Sequence, residues 1–342
     1  MSGIYAISDE ELVCLCIIVI PLLRKASMFG RKPSDNSQPN EESNMTGLIK
    51  ISGCDNPSRR GDVVFVHGLA GDARNTWHWQ TPGDRDYQKD NFWLTWLAED
   101  LKKEGIDVGI WTFGYEAARS KWAGEAMPLF DQASKLLKDL QIQDIGKFPL
   151  IFITHSMGGL LVKKTLRNAN DIINSPSIYK EFYQELIDKT KGLVFLSTPH
   201  TGSHLADLIA NISTLTQSTV NVEELRDNEP QLRELNEWYR DNVVQLKIAT
   251  EVYYEQKLIF RTLVVNPDSA NPGISGVKPT GLLEDHNSIA KPKSRTATVY
   301  GGVKLFIKTL LKQTQRQLPA ADDLISLQQT IPEKTANPQQ PL

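Results

Sequence analysis

A serine set among small residues at the end of an apolar run is the feature of this chain best placed to do chemistry. Residues 154–159 read Thr-His-Ser-Met-Gly-Gly and lead into the helical pattern LLVKK. A serine at the apex of a sharp strand-to-helix turn sits in a strained backbone that presents its hydroxyl to a substrate carbonyl, and a small residue two positions on lets the helix pass close to the strand. Ser156 is therefore the candidate nucleophile and Gly158 the small neighbour. The pattern G-x-S-x-G asks for glycine two positions earlier as well, where this chain has Thr154, so the turn must absorb extra bulk.

A serine hydroxyl attacks only when a base removes its proton, and the base needs a carboxylate to hold its tautomer. There are six histidines, and the chain order serine, acid, histidine leaves His200, His204 and His286 downstream of Ser156. His286 follows the last expected strand and precedes the terminal helical pattern, which makes it the candidate base. For the acid, Asp268 is favoured over Glu251, because it stands in a turn at a strand's carboxyl end whereas Glu251 lies inside an apolar run. Residues 65–72, FVHGLAGD, form a glycine-containing loop after an early strand. The Leu69 N–H from that loop and the Met157 N–H after the nucleophile are the expected oxyanion donors. His67, Gly68, His155 and His200 are expected to line the substrate. No G-K-[ST] follows the glycine loop at the spacing of a phosphate-binding loop, and no Cys/His cluster has metal-ligand spacing, so neither cofactor nor metal is expected.

The elements that must position these groups alternate along the chain. β-rich runs occupy residues 48–51, 63–66, 108–112, 150–154, 193–197, 246–253 and 262–265, and several are too continuously apolar to have a solvated face. Burial on both faces marks strands of a parallel sheet covered by helices. Residues 92–104, 129–140, 157–170, 181–190 and 303–311 read as those helices. The expected architecture is α/β, a mostly parallel central sheet with helices on both faces, whose ligands bind beyond the carboxyl ends of the strands.

The ends of the chain differ from the middle. Residues 12–23, LVCLCIIVIPLL from Leu12 to Leu23, form an apolar run shorter than the ~20 residues of a membrane-crossing helix. The acidic Asp9, Glu10 and Glu11 before it argue against a cleaved secretory signal. Segment 1–32 is thus a candidate membrane anchor. Arg24, Lys25, Arg31 and Lys32 would keep its C-terminal side, and the catalytic domain, in the cytoplasm. Residues 33–46 read as a linker, 47–312 as the catalytic domain and 313–342 as a disordered Gln/Pro-rich tail. With 38 Lys+Arg against 41 Asp+Glu in 342 residues, the chain lacks the positive field that nucleic-acid phosphates require. Three cysteines, Cys14, Cys16 and Cys54, provide no disulfide framework.

Six segments together resemble the α/β-hydrolase superfamily, and within it the serine-active-site-containing (SERAC-type) serine esterase/lipase group. They are FVHGLAGD at 65–72, Thr76-Trp77, HSMGGLLVKK at 155–164, STPHTGS at 197–203, VVNPDSA at 264–270 and DHNSIAKP at 285–292. The resemblance implies an α/β-hydrolase fold with Ser156 as nucleophile and His286 as base. It implies carboxylates at both Glu251 and Asp268, which leaves the acid open. It further implies a lipid or acyl-ester substrate and membrane association, and members occur as N-terminal modules of larger signalling proteins. The expected activity is hydrolysis of a carboxylic ester through an acyl-enzyme. Acyl transfer to another acceptor and a non-catalytic interaction module on the same scaffold are the alternatives.

Overall fold

The computed structural model describes residues 46–316 apart from 70, 82, 116–127, 201–228 and 260–262. The anchor at 12–23, the linker up to residue 45, His204 and the tail beyond Arg316 lie outside the described residues.

Seven strands form one sheet: β1 (Gly47–Ser52), β2 (Asp62–Val66), β3 (Gly109–Gly114), β4 (Leu150–His155), β5 (Thr190–Leu196), β6 (Ala249–Glu255) and β7 (Thr280–Leu282). Their order is β1-β3-β2-β4-β5-β6-β7, with β1 antiparallel to β3 and every other pair parallel. The helices are α1 (Trp93–Lys103), α2 (Pro128–Ile142), α3 (Met157–Ile173), α4 (Lys180–Lys189), α5 (Glu229–Asn242) and α6 (Thr298–Arg316).

Strands β2 and β4 are buried at every residue, as continuous apolar runs in a covered sheet must be. Alternate side chains feed two cores. Val64, Val66, Phe152 and Phe195 pack with apolar residues of α2, α3, α4 and α5. Val63, Phe65, Ile151 and Ile153 pack with those of α1 and α6. Trp77 and Trp93 both stand edge-on to Phe65 at 5.1 Å between ring centroids, so these tryptophans fill core.

Three elements depart from the sequence expectation. Strand β6 runs two residues past Tyr253, because a buried Glu255 ends the apolar run without ending the pairing with β7. The described part of run 262–265 is not a strand: Val264 and Val265 lie in a bend, and the Val265 N–H is spent on the Glu255 carboxylate rather than on a neighbouring strand. The seventh strand is instead the three-residue β7, and α5 supplies an unexpected helix whose Leu232, Leu235 and Tyr239 face inward at helical spacing.

Strand β2 has β3 on one side and β4 on the other, so the chain reverses its direction of travel across the sheet at this point. A crevice opens outside the carboxyl ends of the strands at such a reversal. There Val66, which precedes the glycine loop, pairs with Thr154, which precedes the serine turn.

Candidate active site

Ser156 occupies the turn between β4 and α3 with φ 51° and ψ −126°, a left-handed backbone that costs a non-glycine residue about 1–3 kcal/mol. The surroundings hold it there. Its N–H donates to the Leu196 carbonyl at 2.9 Å, and its own carbonyl accepts the Thr198 hydroxyl at 2.9 Å. Gly158 is required by close approach: a Cβ there would lie 2.4 Å from the backbone oxygens of both Val66 and His67. Thr154 is accommodated because its Oγ1 donates to the Val194 carbonyl at 2.8 Å, turning the extra bulk into a cross-strand hydrogen bond.

The loop after β7 brings His286 to the serine, with Nε2 at 3.0 Å from Ser156 Oγ. The third group is Glu255, whose Oε1 lies 3.3 Å from His286 Nδ1. Neither expected carboxylate stands there. Asp268 is exposed in the turn after Val265, and Glu251, four residues before Glu255 on β6, accepts the Tyr253 hydroxyl at 2.5 Å. The acid does sit at a strand's carboxyl end, but the strand is β6. Glu255 lies two residues beyond the end of the apolar run 246–253.

Glu255 is fully buried, which alone would raise its pKa. Hydrogen bonding and attraction from His286, with help from Ser197 and the Val265 N–H at 2.6 Å, outweigh burial and hold the carboxyl below its ordinary range. It is therefore ionised at neutral pH. It accepts the Nδ1 proton of His286, which leaves Nε2 bare to face the serine hydroxyl. Ser197 Oγ and Glu255 Oε2 are both buried without a hydrogen bond of ordinary geometry.

The glycine loop passes against the serine turn: a Cβ on Gly68 would lie 2.7 Å from Ser156 Cβ. The Tyr115 N–H donates to His67 Nε2 at 3.3 Å, so the His67 proton is on Nδ1, which donates to the Gly68 carbonyl at 2.9 Å. In a trans peptide the next N–H points opposite to that carbonyl, so this bond sets the direction of the Leu69 N–H. Met157 supplies the first amide of α3, one of the four without an intrahelical acceptor.

The three histidines expected to line substrate each hold a partner inside the fold. His67 is fully buried and stacked on Tyr115 at 4.2 Å, and burial pushes its pKa down to about 4. His155 bonds the His286 backbone. His200 Nδ1 meets Lys163 Nζ at 2.7 Å, and that amine donates to Asn236 Oδ1 at 2.6 Å. Burial depresses the pKa of both Lys163 and His200, and the Lys163 charge lowers that of His200 further. Among the described residues no group of three or more His, Cys, Asp or Glu could hold a metal ion, and no helix is long and apolar enough to cross a membrane.

A central, mostly parallel sheet with a strained serine after one strand and an adjoining histidine from a late loop defines an α/β-hydrolase. The chain is an α/β-hydrolase of the SERAC type: it is 31% identical over 268 residues to the protein SERAC1 of Bos taurus and 31% identical over 267 residues to that of Homo sapiens. Each match covers 74% of this chain and 39% of the relative, so the chain spans about two-fifths of the length of these relatives. No family model matches the chain. Similar solved structures include a lipase from Bacillus licheniformis, with TM-score 0.48 and 18% identity over 75% of this chain and 97% of that one. Phospholipase PlaB from Legionella pneumophila has TM-score 0.48 and 17% identity over 78% of this chain and 61% of that one.

Proposed function

We propose that the domain is a serine hydrolase acting on carboxylic esters through an acyl-enzyme. The observation that carries this reading is the line of groups from Glu255 Oε1 through His286 to Ser156 Oγ, at 3.3 and 3.0 Å. Ser156 Oγ attacks the acyl carbonyl as its proton passes to His286 Nε2. The imidazolium so formed is stabilised by ionised Glu255, and the Leu69 and Met157 N–H groups receive the oxyanion. His286 then gives the proton to the departing alkoxide, and water, deprotonated in turn by His286, releases the acid. Removing either Ser156 or His286 from such a unit costs on the order of 10⁶ in rate. The test is turnover of a fluorogenic ester by the purified protein beside Ser156→Ala and His286→Ala. Retention of activity in either variant rejects the mechanism.

A lipid acyl ester is the substrate we favour. A groove of about 470 Å³ beside the base loop is lined by Trp79, Leu258 and Ile259 as well as by Asp285, Lys291 and Lys293. Leu258 and Leu283, 60% and 73% exposed, stand near that loop. The apolar run from Leu12 to Leu23 would hold the domain at a cytoplasmic membrane surface. Esters of short and long acyl chains, offered to the full chain and to one lacking residues 12–23, test both points. A preference for short chains, or equal action of both proteins on vesicle-borne substrate, counts against them.

A further inference from the structure

His155 immediately precedes the nucleophile and takes no part in the proton transfers just described, yet its ring lies against both the base and the glycine loop. Nε2 lies 2.7 Å from the backbone oxygen of His286. The two rings face one another with centroids 5.1 Å apart and planes inclined at 46°. On the other side, Nδ1 lies 3.3 Å from the place a Cβ on Gly68 would take, against the oxyanion loop. A carbonyl oxygen only accepts, so the proton of His155 is on Nε2 and is donated to His286. Burial first, then repulsion by His286, pushes the pKa of His155 down to about 3, which keeps this ring in its neutral form.

We propose that His155 is a positioning residue: its Nε2–H anchors the His286 carbonyl and so fixes the backbone from which the base reaches both Glu255 and Ser156. This rests on the serine-hydrolase reading above. The base loop is tied on either side of His286. Gln256 and Lys257 N–H groups hold the Glu284 carbonyl, and the Asp285 carboxylate accepts from the Asn287 and Ser288 N–H groups. His155 holds the peptide of His286 itself. The two ring contacts of the base, at 3.0 and 3.3 Å, are longer than this 2.7 Å backbone bond. A tilt of that peptide by ten to twenty degrees is enough to leave a productive geometry, and a misplacement of about 1 Å at the reacting atoms costs about 10² in rate. The sequence motif put a histidine beside the serine, and only the fold reveals that its partner lies 131 positions away.

The test compares the unsubstituted protein with His155→Phe, which fills the ring space without a donor, and His155→Gln, whose amide restores an N–H near the position of Nε2. Expected is a fall of about 10- to 100-fold in kcat and in the rate of fluorophosphonate labelling for His155→Phe, with KM within about threefold, and recovery to within about fivefold in His155→Gln. Labelling of His155→Phe at the unsubstituted rate, or His155→Gln as slow as His155→Phe, overturns the proposal. A second reading needs no variant: imidazole ¹⁵N shifts should place the His155 proton on Nε2 from pH 8 to pH 5, and a proton on Nδ1 overturns the proposal. If the unsubstituted protein does not label, the hydrolase reading fails, while the ¹⁵N shifts still decide whether His155 anchors His286.

Discussion

Replacing Glu255 by glutamine separates the charge of the acid from its hydrogen bonding. A single oxygen, Oε1, receives both the Val265 N–H at 2.6 Å and His286 Nδ1 at 3.3 Å. A glutamine carbonyl in that place keeps both, and its NH2 falls at the position of Oε2, where Ser197 Oγ can accept from it. The tautomer of His286 is preserved and only the stabilisation of the imidazolium is lost. At an effective dielectric of about 20, unit charges 3.3 Å apart attract by ~5 kcal/mol, of which the amide dipole recovers part. A net loss of about 3–4 kcal/mol lowers kcat by roughly 10²–10³. That is less than the ~10⁴ seen when an amide reverses the tautomer of a triad histidine. Glu255→Ala should lose more activity, and also about 1–3 kcal/mol of stability, because the buried Val265 N–H loses its acceptor. Initial rates on a fluorogenic ester with thermal melts of each variant measure both effects. A loss below tenfold in Glu255→Gln, or an equal loss in Asp268→Asn or Glu251→Gln, refutes the assignment of Glu255. A loss of 10⁴ or more refutes the retained tautomer.

Gly68→Ala places a Cβ 2.7 Å from Ser156 Cβ and should cost about 1–3 kcal/mol of stability and slow fluorophosphonate labelling at least tenfold; unchanged melting and labelling contradict the packing described. Thr154→Gly restores the G-x-S-x-G pattern but removes the hydrogen bond to Val194, so the melting temperature should fall by several degrees while labelling stays within about threefold. Burial lowers the folded-state pKa of His67 to about 4 and of His155 to about 3, whereas the unfolded chain takes up these protons near pH 6.5. Stability is then complete above pH 6.5 and declines as pH falls towards those values, by ~3 kcal/mol from His67 alone at pH 4. Thermal melts from pH 8 to pH 4.5 that keep one midpoint contradict this.

Most of the sheet could be read from the sequence because its strands are buried on both faces and carry unbroken apolar runs. The same criterion misplaced the acid. A strand that ends on a buried carboxylate stops looking like a strand two residues early, so Glu255 fell outside the run and Asp268 inherited its role. Val264 and Val265 resemble a strand by composition, but their backbone serves the carboxylate. The three residues of β7 carry no pattern of their own and pair only because β6 presents an edge. Ser156 and His286 were legible for a different reason: one is marked by the small residues a strained turn demands, the other by its place between the last strand and the last helix. The roles of His67 and His155 were not legible, since each depends on which backbone atom the fold brings to a ring nitrogen.

The central claim is that Ser156 is a hydroxyl made nucleophilic by His286. The most direct measurement is peptide mapping of the protein after reaction with a fluorophosphonate. A single phosphonyl adduct on Ser156, absent from Ser156→Ala and strongly reduced in His286→Ala, is the predicted result. An adduct on another residue, or none on protein shown by its melting transition to be folded, contradicts the account.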